Sequence, residues 1–326
     1  MKTIRNSRIL VTGGAGFIGS NLVEHLLAQD NEVIVLDNFA TGKMANLLPF
    51  ADHPDFHLIV GDIRSIDDCR RAAAGADYVL HEAALGSVPR SVKDPMTTTA
   101  VNILGFVNML YAAQEAGVKR FVYAASSSTY GDSTTMPKVE DKIGNPLSPY
   151  AITKFADELY ARNFHDLYGI DTVGLRYFNV FGRRQDPHGA YAAVIPKFVM
   201  SLMKHESPVI NGDGSYSRDF TYIDNVIQAN VLALLADDPA AVNQVYNVAC
   251  GERTTLNELF ACLKEDLSAF DPAVAAVEAR YGPNRAGDIP HSLACIDKAA
   301  KLLGYAPEFS VREGLKQASE WYFHNL

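Results

Sequence analysis

The chain has 326 residues, of which 48% are apolar and 21% charged, proportions typical of a folded globular protein. Its 29 basic and 38 acidic residues leave a net charge of −9, so we expect no nucleic-acid-binding surface. No apolar run approaches the ~18–20 residues of a membrane span. The N-terminus has no signal-peptide core, which predicts a cytoplasmic protein without a membrane partner. Reduced thiols and no metal site are expected from the spacing of Cys69, Cys250, Cys262 and Cys295.

The first part of the chain alternates strand-like and helical patterns. Strands are predicted at Arg8–Thr12, Glu32–Leu36, Phe56–Val60, Ala76–His81 and Lys119–Ala125. Helices are predicted over Phe17–Ala28, Asp67–Ala74 and Thr97–Ala116. Strand–helix alternation produces right-handed βαβ crossovers, and continuous apolar runs suit strands that are covered on both faces. The pattern therefore predicts an α/β fold with a doubly wound parallel sheet of the Rossmann type.

Later elements carry clear helix signals. Ser148 suits an N-cap, Pro149 the first helical position, and Gly169 the residue after the last turn. A strand over Thr172–Arg176 and a helix over Tyr222–Leu235 follow. Two capping boxes are expected to open later helices, formed by the pairs Thr255 with Glu258 and Ser310 with Glu313.

The chain is expected to divide into two parts. Residues 1–179 are predicted to form the sheet domain, to which 222–250 return. Residues 180–221 and 251–326 are predicted to form a smaller mixed α/β lobe at the C-terminal side.

A glycine-rich loop joins the first strand to the first helix. Gly13, Gly16 and Gly19 let the backbone turn tightly and approach a pyrophosphate at the positive end of that helix. Asp37 ends the second strand, where a carboxylate accepts hydrogen bonds from the adenosine ribose and repels a 2′-phosphate. The pattern predicts a bound dinucleotide, NAD rather than NADP, at the sheet domain.

A tyrosine and a lysine lie one turn apart on the helix that begins at Pro149. Tyr150 and Lys154 therefore share a face, and an ammonium beside the phenol favours the phenolate that acid–base catalysis needs. Tyr-x-x-x-Lys is common by chance, but this helix begins near the carboxyl ends of the parallel strands, where ligands bind. Ser126, at the end of the fifth strand, could hydrogen-bond a substrate oxygen, although serine clusters also form turns.

Together these motifs resemble the extended short-chain dehydrogenase/reductase family over nearly the whole chain. The segments His81–Ala84, Ser126–Gly131, Arg176–Asn179 and Arg285–Asp288 are similar to those of nucleotide-sugar 4-epimerases. The resemblance is narrowed to the bacterial UDP-N-acetylglucosamine 4-epimerase type by Ala84–Ser91, Gly182–Pro187 and Gly189–Pro196.

The resemblance implies NAD-dependent inversion of carbon 4 of a UDP-N-acetylhexosamine through a 4-keto intermediate, for surface polysaccharide synthesis. Tyr150 would exchange the proton of the 4-hydroxyl, Ser126 would bond the reacting oxygen, and Lys154 would orient the nicotinamide ribose. Ser127 and Ser128 stand where related dehydratases carry an Asp–Glu pair, so elimination of water lacks its acid and base.

The remaining candidate contacts fall into two sets. Further cofactor contacts are expected at Phe17, Ile18, Asn38, Asp62, Ile63, Ala83, Ala84 and Tyr177. For Asp62 and Ile63 an alternative is equally good, namely that they form an ordinary strand end without a ligand. Substrate contacts are expected at Ser87, Ser126, Ser128, Tyr150, Asn179, Gln185, Val194, Arg218, Arg285 and Ser292. By the resemblance, Arg218 and Arg285 match family positions that contact UDP. The alternative for each arginine is an ion pair on the protein surface. In galactose-type epimerases a bulky tyrosine aligns with Ser292, so serine leaves room for an acetamido group.

Alternatives remain open at this point. A UDP-glucose/UDP-galactose 4-epimerase or a UDP-N-acetylhexosaminuronate 4-epimerase fits the same motifs, because an oversized pocket rejects small sugars weakly. A non-catalytic NAD-sensing regulator is a remote alternative. The resemblance also implies a homodimer that packs Thr97–Ala116 and Pro149–Tyr168 of each subunit together. Core packing explains equally well the apolar positions Val101, Leu104, Val107 and Leu110.

Overall fold

A computed structural model describes residues 2–188, 192–283 and 289–326. In chain order its strands are β1 Arg8–Thr12, β2 Glu32–Asp37, β3 Phe56–Val60, β4 Tyr78–His81, β5 Arg120–Ser126, β6 Thr172–Tyr177, β7 Val180–Phe181, β8 Val209–Asn211, β9 Ser217–Arg218, β10 Thr221–Tyr222, β11 Gln244–Val248, β12 Thr254–Thr255 and β13 Arg280–Gly282. Its α-helices are α1 Phe17–Leu27, α2 Ile66–Ala73, α3 Val88–Lys93, α4 Pro95–Thr99, α5 Gly105–Glu115, α6 Pro149–Tyr168, α7 Val194–Met203, α8 Ile223–Leu234, α9 Leu256–Ser268, α10 Asp297–Leu303 and α11 Val311–Asn325.

Seven parallel strands of the described ranges form one sheet in the order β11-β6-β5-β4-β1-β2-β3. The predicted doubly wound sheet is therefore confirmed. Strand order reverses between β1 and β4, so a crevice opens there at the carboxyl ends of the strands. The five strands predicted before β6 all occur in it, each within two residues of its predicted bounds.

The sheet is covered on both faces because successive side chains of a strand point to opposite sides. Ile9 and Val11 of β1 pack with α1 and α8 in one core, whereas Leu10 packs with α2, α5 and α6 in the other. Leu110, which was a candidate for a subunit interface, is fully buried in this second core. Leu104, by contrast, is 51% exposed.

The helix predicted over Thr97–Ala116 differs from the expectation. It begins at Pro95, because the Asp94 carboxylate accepts a hydrogen bond from the backbone amide of Thr97 at 3.0 Å. Its residues Ala100–Leu104 form a π-helical segment between α4 and α5. The predicted fourth strand is shorter at its start, because the Asp77 side chain accepts from the Arg8 amide at 2.9 Å.

The continuous helical stretch Pro95–Glu115 is long and apolar enough to be compared with a membrane-spanning helix. Within its 21 residues, a window of 18 has a mean hydropathy of 1.2, and by length and composition alone the stretch suffices to cross a bilayer. The stretch contains no long continuous apolar run, because Thr97, Asn102 and Asn108 interrupt it. Of that window, 44% is buried in the protein, where α5 packs against α2 and α6. We therefore assign it as a helix of the fold.

The C-terminal half contributes to the same sheet and to its surroundings. β11 pairs with β6, and α8 covers one sheet face. In the described ranges the short strand pair β7/β10 packs beside α8 and α11, the pair β9/β12 packs beside α9, and β8 pairs with β13. Both capping boxes are confirmed, at Thr255 of α9 and Ser310 of α11. The division of the chain into cofactor and substrate parts stays a prediction.

Candidate active site

A cavity of about 460 Å³ lies at the carboxyl ends of the parallel strands. Residues at or just after the ends of β1, β2, β3, β4, β5 and β6 line it, together with the first two turns of α6. The predicted site residues on its lining are Gly13, Gly16, Phe17, Ile18, Gly19, Asp37, Asn38, Ile63, Ala83, Ala84, Ser126, Tyr150, Lys154, Tyr177 and Asn179. The structure thus brings the two predicted motifs, more than a hundred residues apart in the chain, to one cavity.

The glycine loop leaves space that any side chain would fill. Gly13 has φ +69°, and a Cβ there would lie 2.8 Å from the backbone of Ala83. A Cβ on Gly19 would lie 2.2 Å from the carbonyl oxygen of Gly13. Gly16 is the N-cap of α1 and has no side chain, so the first-turn amides are left for a ligand of the cavity. A cradle of this kind fits the pyrophosphate of a dinucleotide.

Asp37 is fixed by the loops around it. One carboxylate oxygen accepts from the amide of Ala15 at 2.9 Å, and the other from the amide of Phe39 at 2.8 Å. Each oxygen has a further lone pair, so the carboxylate can still accept from the hydroxyls of a ribose. These bonds fit the predicted contact with the adenosine half of NAD.

Asp62 sits just behind the lining residues. It accepts from the Asn38 amide at 2.9 Å and forms an ion pair with Arg64 at 2.6 Å. The hydrogen bond from the Arg64 guanidinium holds the pKa of the Asp62 carboxyl well below its usual range. Asp62 is therefore a carboxylate at neutral pH, and it positions Asn38 at this end of the cavity.

The other end of the cavity contains the tyrosine and lysine of α6. Lys154 is 3% exposed, and its Nζ donates to the Ala124 carbonyl at 2.9 Å and to Asp157 at 3.3 Å. Burial works to lower the pKa of Lys154, but the charges of Asp157, Tyr150 and Glu82 outweigh it and raise the pKa overall. An ammonium has three donors, so one more can serve a ligand.

Ser126 is oriented by its neighbour. Its Oγ accepts from both the amide and the hydroxyl of Ser128, at 3.1 and 2.9 Å. Because the oxygen accepts twice, the hydroxyl hydrogen of Ser126 can point to a ligand of the cavity. Ser128 thus contacts Ser126, and its own contact with substrate stays a prediction.

Three predicted substrate residues meet at one junction beside the cavity. Asn179 donates to the backbone oxygen of Asp219 at 2.9 Å, directly after Arg218. The amide of Ser292 donates to the carbonyl of Ser217 at 3.1 Å, which places Ser292 next to β9. The buried Asp219 carboxylate holds this junction by accepting from the amides of Cys250, Gly251 and Ala294.

The other predicted substrate residues lie elsewhere. Ser87 caps α3 by accepting from the Arg90 amide at 3.3 Å, and Val194 begins α7. Gln185 donates to the Val180 carbonyl at 2.9 Å. In the described part of the chain, these three residues are not on the cavity lining. Arg285, with the motif Arg285–Asp288, and the segment Gly189-Ala190-Tyr191 lie outside the described residues.

Two residues of the site were not singled out from the sequence. Asn102, in the π-helical segment, accepts from the Leu85 amide at 2.8 Å and donates to Thr153 at 3.1 Å. It therefore ties a lining loop to α6 beside Lys154, and its signal was a polar residue in an apolar helix. Glu82 lines the cavity and accepts from the Tyr177 hydroxyl at 2.8 Å. The sequence feature that pointed to Glu82 was an acidic residue directly after a buried strand.

This arrangement can hold a dinucleotide and exchange a proton with a bound hydroxyl. The phenol of Tyr150 and the ammonium of Lys154 lie at the same end of the cavity as Ser126. Within residues 2–188, 192–283 and 289–326, no group of three or more His, Cys, Asp or Glu side chains could hold a metal ion.

The chain matches the model of the NAD dependent epimerase/dehydratase family over residues 9–249. It is 37% identical to a UDP-glucose 4-epimerase of Mycolicibacterium smegmatis, over 97% of this chain and 98% of that protein. A UDP-N-acetylglucosamine 4-epimerase from Methanobrevibacter ruminantium M1, solved with UDP-N-acetylmuramic acid, is 39% identical with a TM-score of 0.92, covering 99% and 100% of the two chains.

A UDP-glucose 4-epimerase of Thermus thermophilus, solved with NAD, is 34% identical with a TM-score of 0.84, covering 98% of this chain and 100% of the other. These similarities extend over the whole fold and include the sheet that carries the cavity. The chain therefore belongs to the NAD-dependent epimerase/dehydratase family, among its nucleotide-sugar 4-epimerases.

Proposed function

We propose that this protein interconverts UDP-N-acetylglucosamine and UDP-N-acetylgalactosamine by inverting carbon 4, in surface polysaccharide synthesis. The observation that carries the choice of sugar is Ser292, a small residue beside Arg218 at the junction next to the cavity. A tyrosine there would occupy volume that an acetamido group needs. The similarity to the Methanobrevibacter enzyme supports the same substrate.

In this proposal the cofactor lies along the cavity. The glycine loop binds the pyrophosphate, Asp37 accepts from the adenosine ribose, and Lys154 donates its third N–H to the nicotinamide ribose. When bound there, NAD supplies a reversible hydride acceptor.

The chain's own residues transfer the proton of the sugar's 4-hydroxyl. Tyr150 takes the proton from the 4-hydroxyl and later returns it, with Lys154 stabilising the phenolate. Ser126 donates a hydrogen bond to the reacting oxygen, because Ser128 occupies its acceptor side. Ser127 and Ser128 supply no carboxylic acid, so removal of water is disfavoured relative to return of the hydride.

The UDP group needs local cations, since the chain as a whole is acidic. We assign the diphosphate to Arg218 and Asn179 at the junction, and to Arg285 by resemblance. Ser87, Gln185 and Val194 stay candidate sugar contacts, to be tested by substitution.

The main alternative is a plain hexose, as in the relative from Mycolicibacterium smegmatis. The test compares kcat/KM for UDP-N-acetylglucosamine, UDP-glucose and their uronic acids in wild type, Ser292→Tyr and the volume control Ser292→Ala. Overlap with the tyrosine ring costs ~1–3 kcal/mol, so the preference for the acetamido sugar should fall roughly 5- to 150-fold in Ser292→Tyr. Ser292→Ala should keep the preference. A wild-type preference for UDP-glucose would overturn the proposed substrate.

We also propose a homodimer. Large apolar side chains are exposed along one surface of the 95–115 helical stretch and α6, which we call the helix face. It comprises Met96, Leu104, Ile152, Leu159 and Leu167, of which Met96 is 80% exposed. Two copies of this surface would bury one another as a four-helix bundle. The cytoplasmic location and the lack of nucleic-acid and membrane partners stay predictions.

A further inference from the structure

Glu82 is a half-buried carboxylate on the cavity wall that the proposed reaction does not use. It directly follows β4, and its Oε1 accepts from the Tyr177 hydroxyl at 2.8 Å. That hydroxyl in turn accepts from the Asn230 amide at 2.9 Å. The bonds run from α8 through β6 to the cavity, so the position of the carboxylate is defined by two further elements of the fold.

Glu82 belongs to one end of the cavity. Asp37, Asn38 and Ile63 line the end that suits adenosine, whereas Glu82 interacts with Lys154 and Tyr177 at the opposite end. A dinucleotide whose ribose binds Asp37 would therefore place its nicotinamide at the end that holds Glu82.

Little positive charge near Glu82 offsets the negative charge of its carboxylate. Among the residues that the structure describes, Lys154 from α6 and Tyr177 from β6 act on the charge of Glu82, Tyr177 through its hydroxyl. Lys154 is already hydrogen-bonded to the buried Asp157, so its charge is shared. Burial raises the pKa of Glu82 to about 7, although Tyr177 and Lys154 act in the opposite direction. A cation that enters this end of the cavity would meet a carboxylate in need of a partner.

The two states of nicotinamide differ in that charge. The oxidised ring carries one positive charge, and the reduced ring is neutral. We propose that Glu82 is the charge partner of the nicotinamide ring, so that its carboxylate stabilises the oxidised cofactor over the reduced one. The inference rests on the cofactor placement proposed above, and it is independent of which sugar is the substrate.

The consequence concerns the balance between the two half-reactions. A carboxylate beside the ring makes the reduced cofactor a better hydride donor, so the hydride is returned to the sugar and does not remain on the cofactor. Glu82 transfers no atom in this role. A purely structural role, in which Glu82 only holds the Tyr177 ring, would need an acceptor oxygen but no charge.

Glu82→Gln separates these roles, because the amide keeps the size and the acceptor oxygen and removes the charge. The measurement is the midpoint potential of the bound cofactor in full-length holoenzyme, followed by the absorbance of the reduced nicotinamide. We expect Glu82→Gln to weaken the preference for the oxidised form by at least ~10-fold, which is about +30 mV for this two-electron couple. Glu82→Asp, which keeps the charge, should restore most of the wild-type value.

Two controls sharpen the result. Glu115→Gln removes an exposed carboxylate of α5 that pairs with Arg70 and is not on the cavity lining, and it should leave the potential unchanged. The difference between wild type and Glu82→Gln should shrink as the pH falls and Glu82 takes up its proton.

An unchanged potential in Glu82→Gln, or an equal change in Glu115→Gln, would overturn the inference. If Glu82→Gln loses cofactor, calorimetric titration with NAD⁺ and NADH replaces the potential, and equal weakening of both forms would overturn it as well. Absence of turnover with every UDP-sugar, together with the expected shift, would overturn the proposed function alone.

Discussion

At the level of single residues, the site depends on a buried ion pair. Lys154 and Asp157 are one turn apart on α6, and both are withdrawn from water. Removing one partner of such a pair leaves an uncompensated charge, so each is needed for the other to be tolerated. Asp157 thereby keeps the Lys154 ammonium charged next to Tyr150 and fixes where it points.

Tyr150→Phe tests the proton-transfer role. The variant keeps the ring and its packing but has no ionisable hydroxyl, so turnover should fall at least ~100-fold while fold and NAD content stay as in wild type. Tyr160→Phe is the matched control on the same helix, ten residues further along, and should be as active as wild type. Steady-state turnover and NAD released on denaturation measure both effects. Near-native turnover in Tyr150→Phe would remove this residue from the mechanism.

At the level of elements, the start of α6 determines where Tyr150 lies. The Ser148 hydroxyl accepts from the Ala151 amide at 3.1 Å, and Pro149 occupies the first helical position. These signals are local in sequence, so the beginning of this helix could be predicted to the residue. The π-helical segment Ala100–Leu104 could not, because its position depends on Asn102 bonding to Leu85, seventeen residues earlier in the chain.

Ser148→Ala tests whether the cap positions the catalytic turn. Loss of the cap should lower the free energy of unfolding by about 1 kcal/mol and also reduce turnover, because Tyr150 lies in the freed turn. Thr255→Ala removes a similar cap from α9 and should cost about as much stability with little change in turnover. Urea unfolding and initial rates give the two quantities. Equal turnover in both variants would mean that the cap serves stability only.

The strand β4 ends in a histidine that should make stability depend on pH. His81 is packed against Phe106 and Phe121, and burial, assisted by Lys154, lowers its pKa to about 3. Between pH ~6.5, the usual histidine value, and about 3 the unfolded chain binds more protons than the folded one. Stability is therefore lost as the pH falls through this window.

His81→Phe removes this titration and keeps an aromatic ring in the cluster. From about pH 7.5 to about pH 5.5, wild type should lose ~1.4 kcal/mol more unfolding free energy than the variant. The raised pKa of Glu82 has the opposite effect, because it makes the folded chain more stable as the pH falls. Glu82 is present in both proteins, so its contribution cancels when their unfolding free energies are compared. Parallel pH profiles for the two proteins would contradict a neutral buried His81.

At the level of the whole molecule, the helix face should hold two subunits together. Leu159→Lys places a charge on that face, where the side chain is 55% exposed in the single chain, and should shift the protein from dimer to monomer. Leu48→Lys is the control, because Leu48 is 63% exposed and lies outside the helix face. Light scattering of the purified proteins measures the mass. A monomeric wild type, or dissociation in both variants, would contradict the proposed dimer.

The cofactor end of the cavity could be predicted more fully than the substrate end. Its residues lie at the carboxyl ends of β1, β2, β4 and β5 or directly after them, so chain order alone places them at one edge of the sheet. The bond from Ser292 to Ser217, next to Arg218, and the contact of Glu82 with Tyr177 join residues far apart in sequence. No local pattern encodes such pairs, and their roles stay predictions.

The most direct test follows a label at the reacting carbon. UDP-N-acetylglucosamine carrying deuterium at carbon 4 is incubated in ordinary water with purified enzyme and no added NAD, and the product is examined by mass spectrometry and NMR. The account predicts UDP-N-acetylgalactosamine that retains the deuterium at carbon 4, because the hydride leaves and returns within one active site. Product without the label, or no product from this sugar while UDP-glucose is turned over, would contradict it.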